Sequence, residues 1–185
     1  AAAAREFSRF NGDPLADPRV RLIIGDGRNA VAFGREPYDV IISEPSNLWL
    51  SGMANLFTRE FLGQSRDRLA SGGIFCQWIH AYRLSTEDFK TVLRTFFDVF
   101  PFGSVWEVFP GTDYILLGAR EPVRPAYAAV ERRLALLAVR ADFEDPAFPG
   151  AIGLMGHLVT DADQVRAAAG SGPILVDDHC PIEFT

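Results

Sequence analysis

Three short polar clusters carry the side chains best suited to chemistry: Asp26-Gly27, Ser43 to Asn47, and Gln77 to His80. Each stands at the end of a short apolar stretch, respectively Val20 to Ile24, Tyr38 to Ile42 and Ile74 to Ile79. Such stretches, rich in β-branched residues and closed by turn residues, predict strands. In proteins that alternate strands and helices, ligands occupy the crevice beyond the carboxyl ends of the strands. Three polar clusters on one rim therefore predict a small-molecule site. Other chemistries find less support. His80, His157 and His179 are scattered and lack partners at metal-ligand spacing. Asp177-Asp178 could pair on a metal but reads as two solvated acids in a tail turn. Ser46 lacks the GxSxG setting of a nucleophilic serine, and no Ser-His-Asp arrangement is expected.

The 185 residues carry 18 Lys and Arg against 24 Asp and Glu, a formal net charge of −6. That balance argues against nucleic acid as a partner, which calls for a basic face. It suits cationic or neutral small ligands. Cys76 and Cys180 belong to no CxxC pair, and two reduced thiols point to the cytoplasm. No apolar run approaches the roughly 20 residues of a membrane span. The opening Ala1 to Glu6 has no basic leader before an apolar stretch, so it does not read as a signal peptide. It reads instead as the last turns of a helix that begins upstream.

Helices must position these clusters. A helix over 4–10 stops at Asn11-Gly12, and a short one covers Asn29 to Phe33. Thr58 is an N-cap with Glu60 in the first turn, and its helix is expected to reach about Leu69, closed by Gly72-Gly73. Ser85 and Asp88 form a capping box. Phe89, Val92, Leu93, Phe96, Phe97 and Phe100 follow at helical spacing, an aromatic stripe expected to pack in the core. Ser104 to Phe109 and Tyr114 to Gly118 predict an antiparallel hairpin across Pro110-Gly111-Thr112. Pro125 is expected to open a helix with Tyr127, Val130, Leu134 and Leu137 on one face. Residues 142–156 read as a surface loop, 161–169 as a short helix, and 174–176 as a strand. The resulting fold class is α/β, a mostly parallel sheet with helices on its faces and an antiparallel hairpin at the end.

In that order, DPRVRLIIGDGRN (17–29), YDVIISEPSN (38–47), NLFTREFL (55–62) and GGIFCQW (72–78) resemble the spermidine synthase family, in particular its spermidine synthase-like subgroup. The likeness spans most of residues 5–120, and VDDHCPIEF (176–184) is similar to the ending of that subgroup. The resemblance implies a methyltransferase-type Rossmann-like domain over 1–120, with its first strands missing. A C-terminal helical extension over 121–185 then packs on the same domain. It implies transfer of an aminopropyl group from decarboxylated S-adenosylmethionine to an amine such as putrescine. It also implies residue roles. Asp26 contacts the adenine, Gly27 allows close backbone approach, and Ser43 lines the same site. Glu44 stands at the position of the catalytic carboxylate. Asn47 and Gln77 bind the amine, and Trp49 is an apolar lid in the mobile loop 48–55.

Two positions depart from the family. Glu44 stands where the family has Asp, and a displacement of about 1 Å can cost about a hundredfold in rate. Asn47 replaces a second Asp and removes one negative charge from the amine pocket. The family's glycine-rich loop and ribose-binding acid are expected before residue 1, so tight ligand binding by these residues alone is not expected. The missing strands would leave an unpaired edge, to be filled by upstream chain or by a homodimer partner. Two alternatives stay open: an S-adenosylmethionine-dependent methyltransferase, and a non-catalytic domain that keeps the fold. The parent protein of this subgroup can be membrane-fused. No metal is expected.

Overall fold

The computed structural model describes residues 6–45, 48, 50, 52–123, 126–140, 143 and 149–184, with side chains through 182. Five strands form one sheet: β1 (Tyr38–Ser43), β2 (Leu69–His80), β3 (Phe102–Phe109), β4 (Asp113–Ala119) and β5 (Leu158–Asp161). Their spatial order is β1-β2-β4-β3-β5. β1 and β2 pair in parallel, while β2 with β4, β3 with β4, and β3 with β5 pair antiparallel. Three of the five strands, β1, β2 and β3, thus run in one direction, and β3 and β4 form the expected hairpin.

The helices are α1 (Ser8–Asn11), α2 (Gly27–Phe33), α3 (Arg59–Asp67), α4 (Thr86–Val99), α5 (Tyr127–Leu134), α6 (Leu137–Arg140), α7 (Gly150–Gly156) and α8 (Ala162–Ala169). Four of their starts, those of α2, α3, α4 and α8, carry side-chain caps. Asp26, Thr58, Ser85 and Asp161 each accept a hydrogen bond from the backbone three residues on. The aromatic stripe of α4 forms the core. Val92, Phe96, Phe97 and Phe100 are buried, with Phe89 and Leu93 packed beside them. Phe75 of β2 stacks on Phe100 at 5.2 Å between ring centroids and meets Phe61 of α3 edge-on at 6.2 Å. Each such ring, fully buried, contributes about 1.5–3 kcal/mol. This packing fixes β2 against α3 and α4 and aims the strand's carboxyl end at the rim.

Five expectations need correction. Val20 to Ile24 is not a strand: it has no ladder partner among the described residues, and Ile23 and Ile24 are 64% and 86% exposed. A strand needs a ladder partner for its backbone, and among the described residues this stretch pairs with neither β1 nor any other strand. Gly72-Gly73 does not close α3, which ends at Asp67. Both glycines lie inside β2, where Gly72 has φ +71 and a Cβ on Gly73 would sit 2.9 Å from the Tyr38 carbonyl oxygen. The pair accommodates the register irregularity between Tyr38 and Val40. Within the loop expected over 142–156, residues Gly150–Gly156 form α7, and β5 follows it. The helix expected after 125 breaks into α5 and α6; Val130 and Leu134 are half-buried where α5 packs on α7, while Tyr127 and Leu137 stay exposed. Of the strand expected at 174–176 there is only one bridge, Val176 to His179.

Candidate active site

The parallel pairing of β1 with β2 builds the rim. Ser43, the last residue of β1, stands opposite Gln77. Side chains alternate along a strand, so Phe75, Gln77 and Ile79 face the core while Cys76, Trp78 and His80 face the other way. Gln77 is fully buried, an unusual place for an uncharged amide with four bonding positions. Its Nε2 donates to the Ser43 carbonyl at 3.5 Å and to the Trp78 carbonyl at 3.3 Å. Two carbonyls on that side fix the amide's orientation. Oε1 is left without a hydrogen-bond partner among the described residues. A buried acceptor of this kind costs about 1–3 kcal/mol until a donor reaches it.

Glu44 follows directly, exposed at the end of β1. Its charge reaches the opposite face of β2. Burial pushes the Cys76 thiol up from its ordinary pKa, and the Glu44 carboxylate adds to that rise. Ser43, Glu44, Cys76 and Gln77 are therefore neighbours at one rim.

Asp26 stands at the start of α2. Its Oδ1 accepts from the Asn29 amide at 2.9 Å as the N-cap of α2. No hydrogen bond or ion pair among the described residues joins it to Glu44. Gly27 opens α2, and a Cβ there would meet nothing within 4 Å, so open space rather than backbone strain surrounds it. Asn47 and Trp49 lie outside the described residues.

Two groups escaped the sequence reading. The first is a buried pair at the same end of β2: His80 Nδ1 lies 2.9 Å from Asp113 Oδ1, and the Thr112 hydroxyl donates to Asp113 Oδ2 at 2.7 Å. Trp78 and Tyr82 flank the imidazole with ring centroids 3.9 and 4.8 Å away. Residues 80 and 113 meet only because β2 and β4 pair in that register. The second is Asp177, expected to be solvated. It stays exposed, yet it accepts from Arg28 at 2.9 Å and from Thr58 at 2.6 Å. The guanidinium and the hydroxyl hold its carboxyl below the usual carboxylate range, against a smaller opposing effect of burial. The acidic dipeptide in the tail was visible, but its cationic partner lies in another part of the sequence.

The sheet and its rim define an α/β protein with a polar site beyond parallel strand ends. Residues 4–112, more than half of the chain, match the spermine/spermidine synthase domain, and the chain belongs to that family. It is 28% identical to a polyamine aminopropyltransferase of Synechococcus over 98% of this chain and 60% of the relative. It is 27% identical to one of Korarchaeum cryptofilum over 57% of this chain and 36% of the relative. The chain thus spans roughly one third to three fifths of the length of these curated relatives. Among solved structures, a probable spermidine synthase from Corynebacterium glutamicum superposes with a TM-score of 0.62 at 21% identity, over 95% of this chain and 61% of that one. Human methyltransferase-like protein 13 in complex with SAH superposes at 0.54 and 22% identity, over 79% and 69%. At those identities the structural likeness speaks for the fold, which is methyltransferase-like.

Proposed function

We propose that these residues form part of an aminopropyltransferase, which moves the aminopropyl group of decarboxylated S-adenosylmethionine onto an amine such as putrescine. The observation that carries this reading is Gln77, a buried amide whose orphaned Oε1 suits an amine N–H and which lies on the same β1–β2 rung as Ser43, beside Glu44. Family membership supports the same chemistry.

In the reaction the lone pair of a neutral amine forms the new N–C bond. The C–S bond breaks, and its electrons neutralise the sulfonium to a thioether. The new ammonium then releases a proton, which the Glu44 carboxylate accepts. Gln77 and Asn47 orient the amine, and Trp49 closes over it. Asp26 and Gly27 meet the adenosyl moiety, with Ser43 at its edge. Glu44 is exposed at the end of β1, where its carboxylate is open to an incoming amine.

The outer edge of β1 belongs to the same proposal. Val40 and Ile42 are 55% and 71% exposed, and Leu22 to Ile24 and Phe33 add apolar surface. Further strands, from polypeptide outside these 185 residues or from a second copy, would cover it. Two unbridged thiols fit a cytoplasmic setting.

The test is a product assay on the naturally made polypeptide. Putrescine is supplied with either decarboxylated or methyl-bearing cofactor. Spermidine and methylthioadenosine should form, Glu44→Gln should lower kcat by about 10²–10⁴-fold, and Gln77→Ala should raise KM for the amine. Methylated product alone would establish the methyltransferase reading, and no product from either cofactor would favour a domain that keeps only the fold.

A further inference from the structure

We propose that Asp177 is a positioning residue, a tether by which the C-terminal segment holds the Asp26–Arg28 turn against the far end of the loop 48–55. The inference rests on the reading that this turn meets the adenosyl ligand.

α2 buries none of its residues, so packing contributes little to where it sits. What holds it is polar. Arg28 donates through both terminal nitrogens to the two Asp177 oxygens, and its Nη1 also donates to the Asn55 carbonyl at 3.3 Å. A bidentate guanidinium–carboxylate pair fixes direction as well as distance. The same carboxylate takes the Thr58 hydroxyl, which begins α3 and is fully buried. One side chain therefore joins the start of α2, the end of the loop and the start of α3.

The tail that supplies it is itself anchored. The Asp177 amide donates to Glu60 at 3.0 Å. The Leu175 carbonyl accepts from the Arg59 amide, and the Leu175 amide donates to Thr95, both at 2.9 Å. Leu175 and Ile182 are fully buried on either side, and Cys180 donates to the Ala54 carbonyl at 3.7 Å. The tail is thus anchored by buried side chains where it grips and α2 is not, so loss of the grip should free α2 and the Asp26 turn rather than the sheet.

Hydrogen exchange and steady-state kinetics on the naturally made polypeptide test this, with Asp177→Asn, Arg28→Gln and, as a neighbouring control, Asp178→Asn. Asp177→Asn and Arg28→Gln should speed exchange in 29–33 by about tenfold or more while β2 and β4 amides keep their rates. They should also raise KM for decarboxylated S-adenosylmethionine by about tenfold with kcat within about twofold, a split that lost stability alone does not produce. Asp178→Asn should do neither. Arg28→Gln decides the matter if Asp177→Asn fails to fold, because α2 contributes nothing to the buried core. Unchanged exchange in α2, acceleration spread equally over β2 and β4, or a loosened α2 with unchanged KM would each overturn the tether. A wild-type protein without turnover would instead sink the transferase reading, and exchange alone would then judge the tether.

Discussion

Cys76 reports on the rim residue by residue. Its thiol is pushed up first by burial and then by the Glu44 charge, so it should alkylate slowly with iodoacetamide near pH 8 compared with an exposed thiol. Glu44→Gln removes the second cause only. The rate at Cys76, followed by peptide mass spectrometry, should rise by less than tenfold, since tenfold corresponds to about one pKa unit. An unchanged rate would separate Glu44 from β2 and undo the shared rim. The legibility of single residues followed their partners. Glu44 and Gln77 could be placed from strand ends, because adjacent parallel strands finish at one rim. Asp113 and Asp177 could not, because each acts through a group whose approach depends on register or on the path of the tail.

At the scale of elements, capping and periodicity carried the reading. Ser85 with the α4 stripe, and Thr58 with α3, are local signals, and local hydrogen bonds obey them. Glycine was harder to read. Gly72-Gly73 serves equally as a helix stop or a strand irregularity, and only the closeness of Tyr38 decides for the strand. Gly118 of β4 is another case of close approach. A Cβ there would lie 2.4 Å from Phe100 Cγ, at the centre of the aromatic core. Gly118→Ala must push that ring off its stack with Phe75, a cost of about 1–3 kcal/mol, and urea denaturation should move to a lower midpoint. A midpoint at or above that of the wild type would mean the core gives way freely, contrary to the packing seen.

For the molecule as a whole, the open edge of β1 governs behaviour in solution. Among the described residues Val40, Ile42, Leu22 to Ile24 and Phe33 are exposed and β1 is an outermost strand, and an uncovered edge invites pairing between chains. Sedimentation of this chain should show association that rises with concentration, and Ile42→Lys should reduce it by placing charge on the edge. A monodisperse monomer, indifferent to the lysine, would show the edge to be protected. By itself the sequence determined the local elements, the α/β class and the family, because caps, periodic apolar faces and ordered motifs are properties of neighbouring residues. Only the tertiary structure decided that Val20 to Ile24 stays outside the sheet, that His80 meets Asp113, and that the tail grips Arg28. Those outcomes depend on which distant backbones come close enough to satisfy one another, and that is settled by packing rather than by any short stretch of chain.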